Sequence, residues 1–223
     1  MDRLGTLLKF GILAWMMVVI WAAFLWVPSA AGFKGESSRI VFFHVPTAWV
    51  ATLAFLVSCV ASIMYLWRRE PRDDHRAAVS AGLGLLFAVL ATVTGAIFAK
   101  IMWGAYWNWD PRQTSITILL LIYAAYFALR GAVPDEEKRA SLAAVYSILA
   151  FVTVPFLMFV VPRIYFSLHP DVVTNADPDN RLDSAHAIVL LASSVGFTWL
   201  YIWLYTIGGR IESIRHRRRQ EVL

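Results

Sequence analysis

"IVFFHVPTAWVATLAFLVSCVASIMYLW", residues 40–67, contains no Asp, Glu, Lys or Arg from end to end. It exceeds the ~20 apolar residues needed to cross ~30 Å of hydrocarbon at ~1.5 Å per residue, a region with no water to satisfy irregular backbone. The stretch therefore reads as a membrane-spanning helix. Five others read the same way, at roughly 10–27, 77–98, 114–129, 141–161 and 185–207, the fourth being the shortest. Polar turns rich in Pro, Gly, Asp and Asn separate them, among them "RREPRDDHR" and "GAVPDEEKR". The expected fold class is all-α: a polytopic membrane helix bundle of six transmembrane helices, one integral membrane domain over residues 1–223. No internal repeat, soluble domain or cleavable signal peptide is expected.

Composition agrees. Of 223 residues, 59% are hydrophobic and 16% charged, well above the ~45–50% apolar content of soluble domains. Cys59 is the single cysteine, which excludes a disulfide, a CxxC redox pair and a thiolate metal site. The net charge of +5 comes from basic residues flanking apolar runs rather than from a stripe on one domain, so the reading is membrane lipid and no nucleic acid. The tail "RIESIRHRRRQ" reads as a headgroup anchor.

Lys and Arg beside the spans number fourteen on one side and six on the other. The positive-inside rule then puts the N and C termini in the cytoplasm. The outward six are Lys34, Arg39, Lys100, Arg112, Arg163 and Arg181. The same topology turns residues 99–113, a tryptophan-rich segment between spans three and four, toward the outer face.

Interfacial belts account for Trp15, Trp21, Trp26, Trp67, Trp199 and Trp203. The stretch "WGAYWNWDPRQTS", residues 103–115, is denser than a belt requires. As a helix it would set Trp103, Tyr106, Trp107 and Asp110 on one face with Trp109 beside it, a shelf for a flat apolar ligand. Asp110-Pro111 reads as an N-cap and first helical residue, with a ligand role for Asp110 as the alternative. Arg112, in the first turn, is placed to pair with a carboxylate. His44, His169 and His186 all lie near this face, whereas His75 and His216 lie among charges on the other. Imidazoles, aromatic rings and arginines converging on one face are what haem requires as axial ligands, ring contacts and propionate partners. The residues alone leave His169 and His186 open as the partner of His44.

With those residues in view, "WGAYWNWD" resembles the W-G-x-x-W-x-W-D signature of the WWD haem-handling membrane proteins of cytochrome c biogenesis (CcmC, CcmF and CcsA). Six spans, "RIVFFHVP" opening the second and "LH" after the fifth make the chain similar to the haem exporter protein C (CcmC) family over nearly its whole length. Tyr106 stands where that family commonly has tryptophan, and Pro111 where it commonly has alanine. The paired tryptophans often found before "LH" are missing here.

The resemblance implies an inner-membrane protein with haem b on its periplasmic face. The platform would be Trp103, Gly104, Tyr106, Trp107 and Trp109, the axial ligands of the iron His44 and His169, and the propionate and site support Arg39, Asp110 and Arg112. It further implies delivery to the periplasmic haem chaperone CcmE beside CcmA, CcmB and CcmD of an ABC transporter complex, rather than catalysis by an enzyme. A system II haem lyase would need a domain or partner to bind the haem acceptor, and a b-type cytochrome would need histidine pairs deep in its spans. This sequence offers neither.

Overall fold

The computed structural model describes residues 3–28, 35–169 and 183–222. Lys34 and Arg181, counted above for orientation, lie outside them. Six helical segments are long and apolar enough to cross a membrane: Leu8–Trp26, Glu36–Arg68, Pro71–Trp103, Pro111–Ala132, Glu136–Ile164 and Ser184–Ile211. Each contains one of the six stretches expected, within a residue at its ends. Most run further, because polar residues that end an apolar run do not have to end the helix.

Helix α1 (Arg3–Trp21) passes into a π-helical turn, Ala22–Trp26. A 3-10 turn, Glu36–Ile40, leads into α2 (Val41–Arg68). Arg69 closes α2 in a left-handed conformation, and Glu70 is extended, as the residue before a proline tends to be. Pro71 then opens α3 (Pro71–Trp103), where its missing N–H costs nothing. Helix α4 (Pro111–Ala132) starts on the same device, and α5 (Glu136–Pro155) is capped by Asp135, whose side chain accepts from the Lys138 N–H at 2.7 Å. A second π turn, Phe156–Val160, joins α5 to the short α6 (Val161–Ile164), and α7 (Ser184–Val222) completes the chain.

Helix α2 is central, packed against α3, α5 and α7, while α1 lies on α7. The core contains Val50, Phe55, Phe87, Leu119, Tyr123 and Val154, with Phe55 stacked on Tyr123 at 3.6 Å. Apolar surface gains little by leaving lipid for protein, so close packing and polar contacts between helices hold a bundle of this kind. Ser58 donates to the Ala77 carbonyl at 2.9 Å and lies 3.1 Å from the Ser147 hydroxyl. Ser80 joins α3 to the Ala54 carbonyl at 2.6 Å and to Tyr201 at 2.8 Å. Ser193 donates to the Phe42 carbonyl. At the end of the bundle that holds the α2–α3 turn, Arg130 grips Asp74 through both guanidinium nitrogens, the longer contact being 2.9 Å.

The small residues of α3 and α7 serve this packing. Gly196 meets Trp15 and Met16, and Gly84 meets Phe55 so closely that an added Cβ would lie 2.5 Å from the ring. The stack on Tyr123 leaves that ring little room to yield. Gly84→Ala is expected to destabilise the bundle by about 1–3 kcal/mol through overpacking, read as a lower thermal midpoint in detergent. Gly131→Ala, where a Cβ meets nothing within 4 Å, should leave the midpoint unchanged or raised.

Candidate functional site

His44 lies in the first turn of α2, and its Nδ1 is 3.0 Å from Thr94 Oγ1 on α3. The Thr94 hydroxyl has one proton, and it lies within donating reach of the Leu90 carbonyl at 2.8 Å and the Ala91 carbonyl at 3.1 Å. With that proton given to a carbonyl, Thr94 accepts from His44, an arrangement with the imidazole proton on Nδ1 and the lone pair on Nε2. Gly95 makes room for this ring: a Cβ there would lie 2.9 Å from His44 Cε1.

The tryptophan-rich segment is not the continuous helical face expected for it. Helix α3 stops at Trp103 because Gly104 takes a left-handed φ of 84°, its N–H bonding to the Lys100 carbonyl at 3.1 Å. The Lys100 ammonium donates to the Gly104 carbonyl at 2.8 Å and lies over the Tyr106 ring at 5.6 Å. Gln113 braces the loop that follows, accepting from the Asn108 N–H at 2.8 Å and donating to the Tyr106 carbonyl at 3.2 Å.

The aromatic rings consequently do different things. Trp103 packs edge-on against Phe98 at 5.8 Å. Trp107 lines the cavity described below. Trp109, at φ 56°, is 73% exposed and sets its ring at 89° to Trp107, 6.0 Å away. Tyr106 is exposed as well. A non-glycine residue in the left-handed region costs of order 1–3 kcal/mol and persists where its surroundings hold it; here Asp110 is the next residue along.

Asp110 caps α4 as the sequence suggests, accepting from the Arg112 N–H at 2.9 Å. Its carboxylate also reaches a second loop, accepting from the Ser167 hydroxyl at 2.9 Å and the Leu168 N–H at 2.7 Å. Ser167 Oγ in turn accepts from the His169 N–H at 3.1 Å. Buried and carrying these three donors, Asp110 is tied through Ser167 to the His169 backbone.

That tether brings His169 to His44, their ring centres 5.9 Å apart and the planes at 46°. Trp103 and Phe98 flank His169 at 5.6 and 6.2 Å. Among the described residues, no hydrogen-bond partner meets its Nδ1. Burial, then the proximity of His44 and Arg112, lowers the His169 pKa to about 4 against the opposing pull of Asp110. The ring is thus neutral at neutral pH.

The two histidines line a cavity of about 380 Å³, within the ~300–1,000 Å³ of small-ligand sites. His44, His169, Trp107, Arg112, Trp49 and Met158 are among its walls. Two residues expected at the site lie elsewhere. The Arg39 guanidinium is spent on the Ala23 carbonyl within the π turn, on the Val27 carbonyl just after it, and on Glu36. The His186 ring is buried against Phe42 at 5.8 Å, with Nδ1 2.9 Å from Asp183 Oδ1, and it does not line the cavity.

Residues 2–223 match the family described as CcmC, Heme exporter protein C. The chain belongs to the heme exporter protein C family. It is 35% identical over 186 residues to heme exporter protein C of Bradyrhizobium diazoefficiens, covering 83% of this chain and 70% of that one. It is 30% identical over 222 residues to the Rhodobacter capsulatus protein of the same name, covering 98% and 90%. A ccmC-like mitochondrial protein of Marchantia polymorpha, named as a putative cytochrome c biosynthesis protein, is 32% identical over 135 residues, 60% of this chain and 57% of that one.

Within this member of the heme exporter protein C family, Thr94, Gly95, Gln113 and Ser167 shape the site without having been singled out in the sequence. Asp110→Ala should cost at least the ~0.5–2 kcal/mol of a lost N-cap and release the Ser167–His169 loop. Asp110→Asn keeps an acceptor for the cap, so its thermal midpoint should fall less than that of Asp110→Ala.

Proposed function

We propose that the chain holds haem b at the outer end of the bundle, with His44 and His169 as axial ligands, and presents it to CcmE during cytochrome c maturation. The observation that carries this reading is the histidine pair. With metal–imidazole bonds of ~2.0–2.1 Å, two imidazoles that shared one metal would have their ring centres at most about 6.4 Å apart; here they are 5.9 Å apart. The Thr94 contact leaves the Nε2 of His44 free to bind metal, in the manner of ligating histidines fixed through their other nitrogen. The neutral His169 ring needs no proton removed before it can ligate.

The residues then divide the work. The apolar walls keep water from the iron, Trp107 offers a ring face to the macrocycle, and Arg112 offers a guanidinium to a propionate. Trp109 and Tyr106, exposed on the outer rim, suit contact with the chaperone. His44 sits on a helix and His169 on a loop tethered through one carboxylate, an asymmetry suited to a ligand pair that must also let its cargo go. Cytoplasmic termini and an outward-facing site rest on the Lys and Arg count, and the inner-membrane location rests on the family. Assembly with CcmA, CcmB and CcmD, and a role in handling rather than catalysis, rest on the family. His186 is the weaker candidate, being held by Asp183 and Phe42 away from the cavity.

Protein purified with haem should show a low-spin Soret spectrum that His44→Ala and His169→Ala each abolish. Full and spectrally unaltered haem in both variants would contradict the assignment. Thr94→Val, leaving both ligands in place, should weaken haem binding about 10–100-fold, the usual effect of losing a group that orients a metal ligand.

A further inference from the structure

The cavity changes character along its length. From His44 its α2 wall runs inward through Ala48 to Thr52, about two helical turns, ~12 Å. Thr52 is the midpoint of the span Glu36–Arg68. In this inner part the Thr52 hydroxyl donates to the Ala48 carbonyl at 3.1 Å, and the Thr92 hydroxyl, on the α3 wall, donates to the Ala88 carbonyl at 2.8 Å. Both protons are thus used within their own helices. The lining around them, including Ala48, Ala96, Met158 and Phe159, is apolar. Water, which needs ~2–4 polar partners, is poorly served there.

The same part of the cavity opens sideways. Helix α5 packs on both α2 and α4, whereas the π turn that follows Pro155, and α6 after it, pack mainly on α4. Prolines and π turns are the usual causes of a bend in a helix, and here the bend draws the last part of the fifth span away from α2. Trp49 on α2 and Phe159 in the π turn both line the cavity, yet they are 51% and 43% exposed. Both belong to segments long and apolar enough to cross a membrane, so the surface they leave uncovered faces hydrocarbon. Lining atoms without a neighbour forfeit their dispersion contacts, and a lipid chain at the opening can restore them without desolvating a polar group.

We propose that, with no haem bound, an acyl chain of a membrane phospholipid enters between α2 and the π turn and fills the inner part of the cavity, and that haem displaces it. Apolar surface gains little by leaving lipid for protein, so fit alone holds the chain and it exchanges readily with the bilayer, as suits a placeholder. The lipid site rests on the cavity; the displacement rests on the haem reading above.

The test irradiates the purified full-length chain, haem-free in nanodiscs, with a phosphatidylcholine that carries a diazirine midway along one acyl chain, and maps the labelled residues by mass spectrometry. Label should appear at Ala91 and Leu157, cavity walls only 3% and 7% exposed, as well as at the lipid-facing Leu191 of α7. Ala48→Phe and Ala96→Phe, which fill the slot from α2 and from α3, should each remove the label from Ala91 and Leu157 and keep it at Leu191. Label at Leu191 with none at the two walls overturns the lipid site, and so does wall label that persists in a filled variant with a wild-type thermal midpoint. Haem added to saturation, followed by the Soret band, should also remove the wall label. If haem binds through His44 and His169 and the wall label stays, the displacement is overturned and the lipid site stands. If haem does not bind through those histidines, the haem reading and the displacement fail together, while the wall label still decides the lipid site.

Discussion

The buried Asp110 carboxylate joins the two loops on which the candidate site is built. Its oxygens accept from the α4 backbone at Arg112 and, across the site, from Ser167 and Leu168. Through Ser167 the chain of hydrogen bonds reaches the His169 backbone, and so the ring that faces His44. A buried carboxylate is costly unless donors surround it, and here two of the three donors come from residues 57 and 58 positions away. The energetic demand of one side chain thereby becomes a positional constraint on another.

The bilayer sets the opposite condition for the remaining structure. With no solvent to accept stray backbone groups, the chain crosses as helices and keeps its irregular segments at the ends. Inside the bundle, serine hydroxyls and tyrosine stacks join helices. At the end of the bundle that holds the site, Gly104, Lys100 and Gln113 stop α3 and hold a non-helical loop in which the rings point in different directions. Ending α3 there matters: a helix continued through residue 110 would hold Trp107 and Trp109 on a fixed helical spiral, whereas the loop turns Trp107 to the cavity and Trp109 to the outside.

The spans were legible in the sequence because hydrophobic length depends only on local composition. The Asp110-Pro111 helix start was legible for the same reason, since a cap is a matter of adjacent residues. His44 and His169 stood out as polar residues on an aromatic face. Their partners did not, because Thr94 meets His44 from 50 residues away and nothing in "ATVTGAIF" marks one threonine over another. The helical reading of the tryptophan segment failed where Gly104 allowed a left-handed turn that periodicity does not see. Arg39 was read for its charge, but the carbonyls in and just after α1's π turn, which claim its guanidinium, become visible only once the fold brings them near.

The central claim is that one iron sits between His44 and His169. A structure of the full-length chain loaded with haem in lipid nanodiscs tests it most directly. The account predicts density for the macrocycle in the outer cavity, with iron bonded to one ring nitrogen of each of these two histidines. Iron bonded to His186, or haem bound with neither His44 nor His169 as a ligand, would contradict it.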